Sequence, residues 1–251
     1  MDELKKILLK LKDNGCSGIK VSFEDEGALF NEIVTMRNLT SSIGLKLSLK
    51  IGGCEAKRDI IDSIDLCADT IVSPMIESSF ALEKFVKSLE TYSYKNKKAF
   101  NLETIKGYEN FNEIEKSLYK VDSVVFGRVD FVSSLNKDRN HVNSDQIKDI
   151  LVDVFTKAKK QNIICCLGGS ISIDSKEIIR ELIESNLLDY FETRYVIFDT
   201  KAINFENFDK ILELGMLFEL EWLRFINNKY TLYANKDLKR IKMMEDRISK
   251  I

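Results

Sequence analysis

Seven short segments of the chain alternate apolar with polar residues, and the stretches between them repeat apolar residues every three to four positions. The alternating segments predict strands at IKVSF (19–23), LKLSLKI (45–51), TIVSPM (70–75), AFNLE (99–103), SVVFGRVDF (123–131), IICCLG (163–168) and FETRYVIFD (191–199). Their starts recur every ~25–40 residues, about the length of one βα unit. Between them, Ile60, Ile61, Ile64 and Cys67 mark one amphipathic helix, and Ile147, Ile150, Leu151 and Val154 another. Ser144, Asp174 and Ser175 stand where helix caps are expected. After Phe205 the pattern is helical to the end, with one apolar stripe at Ile211, Leu214, Phe218, Trp222 and Phe225. A second stripe follows at Ile241, Met244, Ile248 and Ile251. The expected division is a β/α unit over 1–203 and C-terminal helices over 204–251, which close the barrel or make an oligomer contact.

The parity of the strands selects among α/β folds. Lys20, Ser22 and Glu24 share one face of the first strand while Val21 and Phe23 take the other. The same split gives Lys46, Ser48 and Lys50, then Asn101 and Glu103, then Arg128 and Asp130, then Glu192 and Arg194. A doubly wound sheet, covered on both faces, calls for nearly continuous apolar strands. A barrel accommodates a polar inner layer at its mouth, where charges of both signs neutralise one another; left unpaired, each buried charge costs several kcal/mol. The expectation is a TIM-type (β/α)8 barrel with a C-terminal helical extension. Only seven strands are visible, so one is missing or irregular.

At 251 residues and 44% apolar composition the chain can bury a substantial core. A formal charge of −2, with acids and bases interspersed, gives no reason to expect nucleic acid. No apolar run approaches the ~20 residues of a membrane span, and the N-terminus reads as an amphipathic helix rather than a signal peptide. The five cysteines lack metal-binding spacing and read as reduced thiols of a cytoplasmic protein.

Glu103 and Asp130 each end a predicted strand, and parallel neighbours deliver their ends to one sheet edge. Two carboxylates there suit a hard cation such as Mg²⁺ or Mn²⁺; alternatively, each caps a helix or pairs with a lysine. Arg128, read as facing the same way, could fork onto a substrate carboxylate or neutralise these acids. Lys50 is a second cation on that rim. Gly52-Gly53 and Gly168-Gly169 precede helices, where backbone amides approach an anion or simply make a tight turn. Glu24, Glu26 and Glu77 fall at strand ends as candidate general bases or substrate contacts. His141, the single histidine, sits in a polar loop.

With these residues laid out, the chain resembles the HpcH/HpaI aldolase and citrate lyase β-subunit family from about Gly18 to Asp199. The likeness is carried by LKIGGCEAKRDI, IVSPMIESSFALEKF, NLETIKGYENFNEI and VVFGRVDFVSSL, and most specifically by Glu103-Thr104 and by Gly127-x-x-Asp130. Phe191-Glu192-Thr193-Arg194 is similar to a run in one branch of the family. The resemblance implies an oligomeric barrel, a divalent metal on Glu103 and Asp130, and carbon–carbon bond chemistry beside a 2-oxo acid or acyl thioester. Two departures stand out. Lys50 replaces a substrate-binding arginine, and the run Glu24-Asp25-Glu26 lacks the histidine of the family's acid-histidine pair.

The expected function is a metal-dependent lyase or aldolase acting on a small acidic substrate through a stabilised enolate, with Glu24 or Glu26 as base. Alternatives are a barrel that binds a metabolite or protein partner without turnover, and phosphoryl transfer with Gly168 to Ser170 cradling phosphate.

Overall fold

The computed structural model describes residues 1–250. Helix α1 (Asp2–Asp13) precedes β1 (Cys16–Ser22), α2 (Phe30–Ser41), β2 (Lys46–Lys50), α3 (Lys57–Asp65), β3 (Thr70–Ser73), α4 (Ser79–Thr91) and β4 (Lys97–Leu102). Two short helices, α5 (Ile105–Glu109) and α6 (Phe111–Glu115), lead to β5 (Ser123–Gly127), α7 (Arg128–Ser134), α8 (Asp145–Lys160), β6 (Ile164–Gly168) and α9 (Lys176–Glu184). The chain finishes with β7 (Tyr190–Glu192), β8 (Val196–Asp199) and α10 (Phe208–Ile248). The eight strands close into a barrel in sequence order.

The strand that sequence counting could not find lies inside the last predicted one. Residues 191–199 fold as two strands, and β8 returns antiparallel to both β7 and β1. Thr193 makes the reversal: its amide donates to the Val196 carbonyl at 2.9 Å, and its hydroxyl accepts from the Val196 amide at 3.2 Å. No glycine or proline marks this turn, so the β-rich sequence reads straight through it. The barrel therefore has seven parallel strands and one reversed, and α1 packs against α10 through a buried Leu4, Ile7, Leu8 and Leu11 face.

Parity holds along the parallel strands. Leu47, Leu49, Phe100, Val124, Phe126 and Leu167 point outward and are fully buried under the helices. Lys20, Lys50, Asn101 and Glu192 point into the lumen. It fails at one place: β5 ends at Gly127, three residues before the predicted carboxylate. The inner positions of β5 are Ser123, Val125 and Gly127, so Arg128 falls on the outer side. Asp130 regains the lumen because the chain has already turned into α7.

The C-terminal region is one helix of 41 residues, rather than several. Its first turns bury Phe208, Ile211, Leu212, Phe218 and Trp222, and no residue beyond Trp222 is buried. Ile251, from the second predicted stripe, lies outside the described residues. All five cysteines are free, and burial pushes the Cys16 and Cys165 thiols up to about 12, which keeps them inert. Among the described residues no helix is long and apolar enough to cross a membrane.

Candidate active site

A cavity of about 870 Å³ opens where the parallel strands end. Eight carboxylates and four cations line it, so its wall is strongly acidic. The floor is a buried ion pair between Lys20 of β1 and Glu192 of β7, with the Cys166 thiol 3.9 Å from the second Glu192 oxygen. Burial works against the Lys20 ammonium, but Glu192 more than reverses this and holds its pKa above the usual lysine value.

Glu103 follows β4 and is 2% exposed. Its Oε1 accepts from the Met75 amide at 2.9 Å, and its Oε2 accepts from Asn101 Nδ2 at 2.8 Å. Lys50 Nζ stands 3.7 Å from Oε2 and 3.0 Å from Glu24. Gly127 makes the room: a Cβ there would lie 2.8 Å from the Glu103 side chain. Burial pushes the Glu103 pKa up, and the Lys50 charge and two hydrogen bonds only partly oppose it.

Asp130, exposed to the cavity from the first turn of α7, makes no hydrogen bond or ion pair among the described residues. Burial raises its pKa, against the pull of Lys50. Glu24 and Asp25 add further negative charge to this corner, which holds a single lysine. Asn101 Oδ1, beside Glu103, is buried without a partner. The donor set is hard oxygen with negative charge in excess, which fits a hard divalent cation. Among the described residues no group of three or more His, Cys, Asp or Glu is placed to hold a metal. The protein would thus supply two carboxylates and leave the remaining positions to water and substrate, as is common for Mg²⁺.

The two candidate bases separate. Glu24 is paired with Lys50 and does not line the cavity. Glu26 does line it, and its Oε2 accepts from the Ser22 amide at 2.6 Å. Burial pushes its pKa up to about 7; the Ser22 amide, Lys20 and Arg194 pull it down, and Asp25 adds to the rise. The Glu26 charge in turn helps raise the pKa of Tyr195, whose main cause is burial. A carboxyl group at that value is available to take or give a proton near neutrality.

Several sequence-derived candidates lie elsewhere. Arg128 is fully buried: its guanidinium donates to the Gly168 carbonyl at 3.2 Å, Asn143 at 2.6 Å and Ser175 at 3.2 Å. It ties the end of β6 to the loops around it and does not line the cavity. Gly52 and Gly53 are away from the cavity, and the Gly52 amide donates to Asp59 at 2.7 Å. Glu77 accepts from the Thr104 hydroxyl at 2.7 Å, outside the cavity. His141 is exposed beside Asp138. Gly168 and Gly169 do line the cavity; Gly169 has φ +80°, and a Cβ there would lie 2.7 Å from the Arg128 and Val129 amides. Arg194, on the β7–β8 turn, reaches Asp25 at 3.2 Å and Glu26 at 3.6 Å.

Sequence reasoning missed Arg139. It lines the cavity, donates from Nε to the Ser170 hydroxyl at 3.0 Å, and is the one lining cation with no acid within ion-pair distance among the described residues. Its neighbours Asp138 and Asn140 make it read as an ordinary polar loop.

Solved structures share this architecture. An HpcH/HpaI aldolase from Desulfitobacterium hafniense DCB-2 has a TM-score of 0.62 at 14% identity, over 77% of this chain and 82% of its own. The citrate synthase SbnG has a TM-score of 0.62 at 13% identity, over 87% and 89%. An HpcH/HpaI aldolase/citrate lyase family protein from Burkholderia cenocepacia J2315 has a TM-score of 0.58 at 12% identity, over 74% and 90%. At these identities they establish the fold alone. No curated protein sequence matches the chain. Residues 52–181, about half the chain and including both Glu103 and Asp130, match the HpcH/HpaI aldolase/citrate lyase family, and the chain belongs to it.

Proposed function

We propose that this chain is a divalent-metal-dependent carbon–carbon lyase or aldolase, acting on a small 2-oxo acid at the barrel mouth. One observation carries the reading: Glu26, a buried carboxyl group with a pKa of about 7, shares a cavity with Glu103 and the partnerless Asp130. That combination is expected where a proton is removed from carbon beside a carbonyl.

Glu103 and Asp130 would hold the cation, Mg²⁺ or Mn²⁺. When bound, it supplies Lewis-acid stabilisation of the negative charge that develops on the substrate's carbonyl oxygen. In the synthetic direction Glu26 takes the proton from the carbon beside that carbonyl and gives it to the oxygen of the aldehyde as the new bond forms. In cleavage it takes the 4-hydroxyl proton as the C3–C4 bond breaks and returns it to the carbon beside the carbonyl, so it starts ionised. The Ser22 amide holds Glu26 in place while Lys20 and Arg194 moderate its charge. Lys50 and Lys20 serve as fixed positive charge; their acid neighbours hold both protonated, which argues against a Schiff base on either lysine. Arg139, rather than Arg128, is free to receive a substrate carboxylate, beside the Gly168-Gly169 turn. A cytoplasmic setting accords with the free thiols.

Assay of pyruvate release from a set of 4-hydroxy-2-oxo acids with Mg²⁺ tests the reading. We expect turnover whose kcat/KM falls away below about pH 7, with an at least 10²-fold loss in Glu26→Gln. No release from any member with Mg²⁺ or Mn²⁺ counts against it.

A further inference from the structure

Below the Lys20–Glu192 pair lies a second cavity, of about 90 Å³. It enters from the opposite end of the barrel, between the first residues of β2 to β7: Lys46, Thr70, Lys97, Ser123, Ile164 and Tyr190. The interior of such a barrel is normally filled by layers of bulky branched side chains. Here Gly18, Ser48, Thr70, Ala99 and Ser123 point inward and leave the space open. Helix α1 packs on α10 and does not line the opening.

The polar groups of this cavity are unengaged. Ser48 and Ser123 are only 7% and 9% exposed, yet neither hydroxyl has a hydrogen-bond partner among the described residues, and nor does that of Thr70. The register sets Ser48, Thr70 and Lys97 side by side on β2, β3 and β4, with Lys46 two residues before Ser48 on the same face. Neither lysine has an acid within ion-pair distance among the described residues. The acids at the strand starts are taken elsewhere: Asp69 by Arg37, Asp189 by Lys159 and Asp122 by the Lys98 amide, and none of them lines the cavity. Glu192, the one carboxylate that does, is paired with Lys20. The deep wall is apolar, with Val72, Ala99 and Val125.

We propose that this lower cavity binds a short-chain carboxylate of two to four carbons. Its acid group lies at the cationic entrance, where Lys46 and Lys97 neutralise it and the free hydroxyls donate to it. Its tail lies against the apolar wall beneath the Lys20–Glu192 pair. One water needs about 10–15 Å³ of such space, so the cavity takes a molecule of about six non-hydrogen atoms. Inorganic phosphate fits the entrance but leaves the apolar wall without a partner, which selects the carboxylate. The proposal is independent of the chemistry at the barrel mouth.

Titration of the full chain with ¹³C-labelled propanoate, followed by NMR at fixed ionic strength, tests this without reference to activity. We expect saturable binding that is at least 10-fold weaker in the double variant Lys46→Ala/Lys97→Ala and in Ser123→Val, which fills the cavity. Binding should be unchanged in Arg139→Ala, at the other end of the barrel, and inorganic phosphate should bind at least 10-fold more weakly than propanoate. Lys46 and Lys97 are exposed, so the double variant keeps its fold, which circular dichroism checks. No saturable binding up to 50 mM overturns the proposal, as does binding indifferent to the two lysines or lost in Arg139→Ala. Phosphate bound as tightly as propanoate overturns it too.

Discussion

Glu24 and Glu26 lie two residues apart on the same loop, yet the fold gives them different surroundings. Glu24 meets an ammonium; Glu26 turns under the strand ends into a site where burial outweighs the nearby positive charge. No sequence pattern distinguishes them, because burial depends on which strand ends surround the loop. Glu103 was more legible, since it follows an apolar strand and parity directs it inward. Asp130 was legible for its type but not its route, because the helix begins earlier than the apolar run suggests. Its lack of any partner makes it the sharpest probe of the cation site. Mg²⁺ at 100 times its dissociation constant should stabilise the wild type by about 2.7 kcal/mol, a rise in Tm on the order of 5–10 °C. In Asp130→Asn the rise should vanish in differential scanning calorimetry; an unchanged rise would place the cation elsewhere.

Two junctions between elements explain where sequence reading stopped. At the β5–α7 junction, the run VVFGRVDF continues the alternation past the true strand end, and so turns Arg128 the wrong way. The arginine instead satisfies a carbonyl, an amide oxygen and a hydroxyl in a site without water access, and desolvation lowers its pKa to about 10. Arg128→Ala should therefore cost at least about 3 kcal/mol in urea unfolding, because three buried acceptors and a cavity remain. A variant of wild-type stability with a raised KM would instead restore Arg128 to the substrate. At the β7–β8 junction the turn is made by a threonine hydroxyl and backbone, without glycine or proline. The strand count of seven followed from that single concealed reversal.

For the molecule as a whole, alternation, spacing and polar inner faces were enough to read a barrel with a charged mouth. The grouping of charges within that mouth was not, because it depends on pairings across the lumen. Its acid excess has a consequence for stability. Glu26 titrates near 4.5 when unfolded and near 7 when folded, so the folded chain binds the extra proton between those values. Its contribution is fully favourable below pH 4.5 and is lost as pH rises through 7, an amount of about 3 kcal/mol. Glu26→Gln should flatten this part of the stability–pH curve and be more stable than wild type at pH 8; equal curves would mean Glu26 is not held out of water. The account as a whole requires that the barrel mouth labilise a proton beside a carbonyl. The most direct measurement is exchange of the pyruvate methyl protons for deuterium, followed by NMR in D₂O with Mg²⁺. The account predicts exchange well above the protein-free rate in the wild type, lost at least 10²-fold in Glu26→Gln and in Asp130→Asn. Exchange no faster than background with Mg²⁺ or Mn²⁺, or a Glu26→Gln variant as fast as the wild type, would contradict it.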